Sequence, residues 1–137
     1  MKRIGFGLIL FLFFWTFSCR DHYYDSRVVT TYFWTSTSSP AVHHLFINGR
    51  DRGVLPYSLV APSTGSDREN SLAVKLHSGK FRIEVRDDDG RVVYKEKLKL
   101  TLRRRSTAIH SDPDEKYGGS TVVQHGNKWF KEIWFDE

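Results

Sequence analysis

The chain has 137 residues, 21 Lys and Arg against 16 Asp and Glu, a formal net charge of +5, and one cysteine. A single thiol excludes an intramolecular disulfide framework, so an exported domain of this size has to rest on its apolar core. The charge excess is mild, and no helix-turn-helix or RNA-binding pattern accompanies it. At the start, Lys2 and Arg3 run into an unbroken apolar stretch from Ile4 to Phe17 that stops at Ser18-Cys19. Fourteen residues make about 21 Å of helix at ~1.5 Å per residue, short of the ~30 Å hydrocarbon core of a bilayer. The stretch is therefore expected to be a signal helix, removed from the mature chain.

Thr16-Phe17-Ser18-Cys19 resembles the end of a bacterial lipoprotein signal, with a small residue before the cysteine and the thiol in the position that receives lipid. The resemblance implies cleavage after residue 18 and acylation of Cys19, with palmitate-type chains as the membrane anchor. An uncleaved anchor or an ordinary signal peptide is the alternative. Acyl chains contribute ~0.8 kcal/mol per buried CH₂, so the membrane contact is expected to be lipid rather than protein. Residues 19–26 then form a lipidated tether and 27–137 a single domain. The implied location is the bacterial cell envelope, on the periplasmic side or the cell surface. Export argues against nucleic acid as a partner.

The domain is expected to open with a strand at Val28 to Trp34, dense in β-branched and aromatic residues. Thr35 to Pro40 is a Ser/Thr run ending in proline, hence a loop. A second strand from Ala41 to Ile47 meets Asn48-Gly49, which accept positive φ and so predict a tight hairpin. Its return limb includes Val54-Leu55-Pro56-Tyr57, with Pro56 confining it to a sheet edge. After a polar loop from Ala61 to Asn70, Leu72, Val74 and Leu76 alternate with Ala73 and Lys75. Phe81, Ile83 and Val85 then alternate with Arg82, Glu84 and Arg86, the period of a strand with one buried face. Asp87-Asp88-Asp89-Gly90 predicts another hairpin. Its three carboxylates also raise a calcium hypothesis, but Asp and Gly are common turn residues, and the turn is the favoured expectation. The partner strand, Arg91 to Leu102, ends with Leu98, Leu100 and Leu102 against Lys97, Lys99 and Thr101.

Leu45-Phe46-Ile47-Asn48-Gly49, then Gly53, Leu55-Pro56-Tyr57 and Gly79-Lys80-Phe81-Arg82-Ile83-Glu84-Val85, resemble PEGA domains, small β-sandwich modules of bacterial envelope and surface proteins. The similarity runs from Leu45 to Leu102 and lacks the motif that names the family. It implies binding or assembly and transfers no catalytic residue.

In the last third, Thr107 to His110 is an expected strand, Ser111 to Gly119 a loop, and Thr121 to Gln124 with Lys128 to Asp136 a closing hairpin. Trp129, Phe130, Ile133, Trp134 and Phe135 also fit one side of a short helix; strand is favoured. Functionally, Trp129 and Trp134, with Tyr57, are candidate partner-binding residues, set against the commoner role of aromatics in the core. Arg103, Arg104 and Arg105 form a basic patch that could suit an anionic partner; a solvated edge or loop after a strand is the favoured expectation.

No catalytic constellation or metal site is legible, and no cofactor is expected. Neighbouring His43 and His44 point to opposite faces of a strand. His110-Ser111-Asp112 has the residue types of a hydrolase triad, but consecutive residues cannot form its relay. Asp112 to Gly118 lacks the glycine and bidentate glutamate of a calcium loop. The sequence thus predicts an all-β, Ig-like or PEGA-like antiparallel sandwich behind a signal helix. Its expected function is a non-catalytic binding or assembly role with an envelope protein or glycan. A small envelope hydrolase or carbohydrate-processing accessory, using His110 or Asp112, is the alternative.

Overall fold

The computed structural model describes residues 28–62, 70–103, 106–125 and 128–136. The signal segment, Cys19 and its tether, most of the Ala61 to Asn70 loop, and Arg104 and Arg105 lie outside the described residues. The described chain is all-β. Its strands are β1 (Val29–Thr35), β2 (His44–Ile47), β3 (Arg50–Val54), β4 (Leu72–Leu76), β5 (Gly79–Arg86), β6 (Val92–Arg103), β7 (Ser106–Pro113), β8 (Gly118–His125) and β9 (Lys128–Phe135). They form a four-stranded sheet, β4-β1-β9-β8, and a five-stranded sheet, β3-β2-β5-β6-β7. All pairs are antiparallel except β1 and β9, which run parallel. The first strand is thereby locked between β4 and the last strand, closing the sandwich between chain-distant segments.

The two sheets enclose one apolar core, because strands such as β6 alternate inward and outward residues. Phe33, Leu45, Ile47, Ile83, Val85, Leu98, Leu100 and Ile133 are all essentially inaccessible to solvent. Each such side chain contributes roughly 1.5–3 kcal/mol by leaving water, which is how a domain without disulfides offsets the entropy of ordering its chain.

The three predicted hairpins form, β2–β3, β5–β6 and β8–β9. Asn48 (φ 52°) and Gly49 (φ 79°) supply the two left-handed residues of the β2–β3 turn. Asn48 also ties the turn to β5, its Oδ1 accepting the Arg82 amide at 2.8 Å. In the β5–β6 turn the Asp87 carboxylate serves the backbone. Its Oδ1 accepts the amides of Asp89 (3.0 Å) and Arg91 (2.9 Å), and its Oδ2 takes Arg91 Nε at 2.9 Å. Burial works to raise the Asp87 pKa, but these hydrogen bonds and the Arg91 charge overrule it and hold the carboxyl below its ordinary 3.8. The C-terminal aromatics lie on a strand, β9, paired along its whole length with β8.

Three boundaries differ from expectation. β2 starts at His44, not Ala41, because side chains take the preceding amides: Ser39 Oγ accepts Ala41 N and Asp88 Oδ2 accepts Val42 N. β3 ends at Val54, before Pro56. The Pro56 carbonyl instead accepts the Thr35 amide at 2.9 Å, and Tyr57 makes an isolated parallel bridge to Thr35. The chain crosses there from one sheet to the other, a place where a missing amide donor does no harm. Finally, the expected Ser111 to Gly119 loop shrinks to Asp114 to Tyr117. β7 continues through Ser111 and Asp112, and β8 already begins at Gly118.

Candidate functional site

The outer face of the five-stranded sheet concentrates positive charge. Pairing β5 with β6 sets Lys80 opposite Lys99 and Arg82 opposite Lys97. Like charges directly opposite on a sheet are destabilising, and this register repeats the arrangement on consecutive outward rows. Glu84, opposite Lys95, is the one acidic residue on the outward positions of these two strands, and it is neutralised locally. Its Oε2 accepts Arg86 at 2.6 Å and its Oε1 lies 3.7 Å from Arg82 Nε. Arg86 also covers the Phe46 ring at 4.4 Å. Further along, His110 pairs Lys99 and Asp112 pairs Lys97 on β7. The result is a solvated, predominantly cationic surface, suited to an anionic partner.

Beneath it, between the sheets, lies a buried polar cluster. Lys131 on β9 is 0% exposed and Glu96 on β6 is 2% exposed, and Lys131 Nζ donates to Glu96 Oε1 at 2.7 Å. Lys131 Nζ donates further to Ser111 Oγ (3.0 Å) and Ser120 Oγ (2.8 Å). Three acceptors match the three protons of an ammonium. Glu96 also accepts Tyr94 OH at 2.8 Å and the Ser111 hydroxyl. Burial pulls the Lys131 pKa below its ordinary 10.5, against the opposing pull of the Glu96 charge. Burial and that same negative charge push the Tyr94 phenol above its ordinary 10. A serine against a lysine has the composition of a nucleophile and base. Here, however, Lys131 Nζ is placed as a donor to Glu96 and to both serines. What the cluster does is join β6 and β7 of one sheet to β8 and β9 of the other.

The residues singled out from sequence do not share one surface. Arg103 is exposed at the end of β6, with Arg104 and Arg105 following outside the described residues. Tyr57, 44% exposed, sits at the opposite end of the sandwich, near exposed Leu59 and Val60. Trp129 and Trp134 occupy opposite faces of β9. Trp129 is 9% exposed and belongs to the core, whereas Trp134 is 40% exposed and lies over Gly119. A Cβ at Gly119 would approach the Trp134 ring to 2.6 Å. His110 and Asp112 occupy outward positions of β7 while Ser111 turns inward to Glu96, so the three do not converge. His43 is buried with its ring edge against Phe135, and His44 contacts Asp51 at 3.0 Å. Among the described residues no group of three His, Cys, Asp or Glu side chains is placed to hold a metal.

Sequence inspection missed both the cationic face and the buried cluster. The alternation of Lys97 and Lys99 along β6 was visible, but their basic neighbours across the strand were not. For the cluster the available signal was one charge in each inward series: Glu96 between Tyr94 and Leu98, and Lys131 between Trp129 and Ile133. Comparison of the chain with protein-family models, with curated proteins and with solved structures finds no match.

Proposed function

We propose that the chain is a lipid-anchored cell-envelope protein with a non-catalytic binding or assembly role. Acylated Cys19 holds it to a membrane, and the cationic face of the five-stranded sheet meets an anionic glycan or envelope protein. The observation that carries the binding role is the β5–β6 register, which places Arg82 opposite Lys97 on the outer face. Such pairs cost stability in the free protein, and an anionic partner relieves that repulsion. The anchor rests on Thr16 to Cys19 and on the absence of a second cysteine that could pair with Cys19. The proposed likeness to PEGA modules fits the gathering of β2, β3, β5 and β6 in one sheet around the Asn48-Gly49 turn.

The test is mild crosslinking in cells of a C-terminally tagged protein, followed by detergent extraction and identification of what co-purifies. Cys19→Ala serves as the unanchored control and Arg82→Glu/Lys97→Glu as the charge-reversed one. A partner recovered near one-to-one, and lost with either variant while the protein stays folded, is the expected result. Unchanged recovery with the charge-reversed variant would refute the cationic face as the binding surface.

A further inference from the structure

The positive charge is also distributed along the strand axis. β1, β5, β7 and β9 begin, and β4, β6 and β8 end, at one end of the sandwich, which we call basal. The two sheets share this end because only His77 and Ser78 separate β4 from β5. In the four-stranded sheet, Lys75 and Lys128 flank Thr30 in the basal row. In the five-stranded sheet, Lys80 faces Lys99, and Arg103 ends β6 beyond them. No described Asp or Glu lies in these rows.

The distal end has the opposite sign. Asp87, Asp88 and Asp89 sit at the β5–β6 turn, Asp114 and Glu115 join β7 to β8, and Asp136 follows β9. Arg86, Arg91 and Lys116 offset these carboxylates only in part.

The position of the anchor gives this polarity a direction. Val28 enters β1 at the basal end, and Cys19 is nine residues upstream, a contour of at most about 30 Å. We propose that the basal pole docks on the anionic headgroups of the membrane that receives the Cys19 acyl chains. This rests on the lipid-anchor reading above. Attraction between a Lys or Arg and an anionic surface fades within a Debye length, about 8 Å at physiological salt. A tether of that contour lets the basal cations come within this distance of the headgroups. It also raises their effective concentration at the headgroups far above that of a polyanion arriving from solution. The same surface repels the distal carboxylates, so both poles select one orientation. The domain then stands with its strands away from the bilayer, leaving Tyr57, Leu59 and Val60 on the outward end.

The experiment uses the full acylated protein, purified from membranes and reconstituted into phosphatidylcholine vesicles with or without phosphatidylglycerol. Acylation consumes the chain's single thiol, so a thiol-reactive dye reports only an introduced cysteine. His77→Cys marks the basal end and Glu115→Cys the distal end, and lipids with nitroxide-labelled headgroups quench the dye. On vesicles containing phosphatidylglycerol, the basal dye is expected to be quenched about two-fold more than the distal one at low salt. The gap is expected to narrow at about 0.5 M salt, where screening is nearly complete, to that seen on phosphatidylcholine alone. It is also expected to narrow in Lys80→Glu/Lys99→Glu/Arg103→Glu, with the protein still vesicle-bound.

Equal quenching at both ends, or a gap no larger with phosphatidylglycerol than without it, would overturn the docking. So would a basal dye that ignores the vesicles but is shielded by a soluble anionic polysaccharide, which would transfer the pole to a glycan. The salt series uses the unmutated charge pattern, so it stands even if the triple variant fails to fold. The intact mass of the purified chain separates the two levels of failure. An unacylated chain that leaves the vesicles refutes the anchor itself, whereas an acylated, vesicle-bound chain with equal quenching refutes only the docking.

Discussion

Removing the ammonium of Lys131 tests the buried cluster most directly. Lys131→Met keeps much of the side-chain length and leaves Glu96 buried, with the Tyr94 and Ser111 hydroxyls as its remaining donors. Breaking a buried pair from one side costs about 3–5 kcal/mol, because the surviving charge loses its counterion. Against a domain stability of roughly 5–15 kcal/mol, that is a large fraction. Glu96→Gln is expected to cost a similar amount, since the buried Lys131 then loses its counterion and keeps only neutral acceptors, the amide oxygen and the two serine hydroxyls. The double variant removes both charges and is expected to lose about 2–3 kcal/mol less than the sum of the single losses. Urea unfolding at pH 7 followed by tryptophan emission measures this, with Trp34 and Trp129 both buried in the native state. A loss under about 1 kcal/mol for Lys131→Met, or strict additivity in the double variant, would refute a desolvated and coupled pair.

Three further outcomes are expected. Thr31 is fully buried and its hydroxyl has no hydrogen-bond partner among the described residues, so Thr31→Val should raise stability by about 1 kcal/mol; a loss in chemical denaturation would contradict the orphaned hydroxyl. Gly118 has φ 141° and a Cβ there would run into the Trp134 carbonyl on β9. Gly118→Ala should therefore cost about 2 kcal/mol or more, seen as a lower thermal midpoint. The raised pKa of Tyr94 means that folded protein keeps the phenol proton after the unfolded chain has begun to lose it near pH 10. Its contribution is full below pH 10 and fades as pH rises beyond, whereas the depressed pKa of Lys131 adds stability as pH climbs toward 10.5. Tyr94→Phe should flatten the alkaline decline in a series of denaturant titrations, and an unchanged decline would assign it to other groups.

The sequence by itself determined the strands and the turns between them. Phe81, Ile83 and Val85 alternate with charged residues because a sheet with one wet face requires that period. Asn48-Gly49 and Asp87 to Gly90 mark their hairpins because positive φ and side-chain capping are local properties. The all-β class follows from such signals, each contained within a few residues. What tertiary structure decided was who faces whom. The parallel pairing of β1 with β9 joins segments about a hundred residues apart, and no local rule encodes it. Strand β7 extends through Ser111 because that side chain finds Glu96 and Lys131 in the interior, partners supplied by β6 and β9. The lysines of β6 became a cationic face only when the register set them against Lys80 and Arg82. Local periodicity fixes which side of a strand is wet. The charge that the wet side presents is a sum over neighbouring strands, and only the assembled sheets fix it.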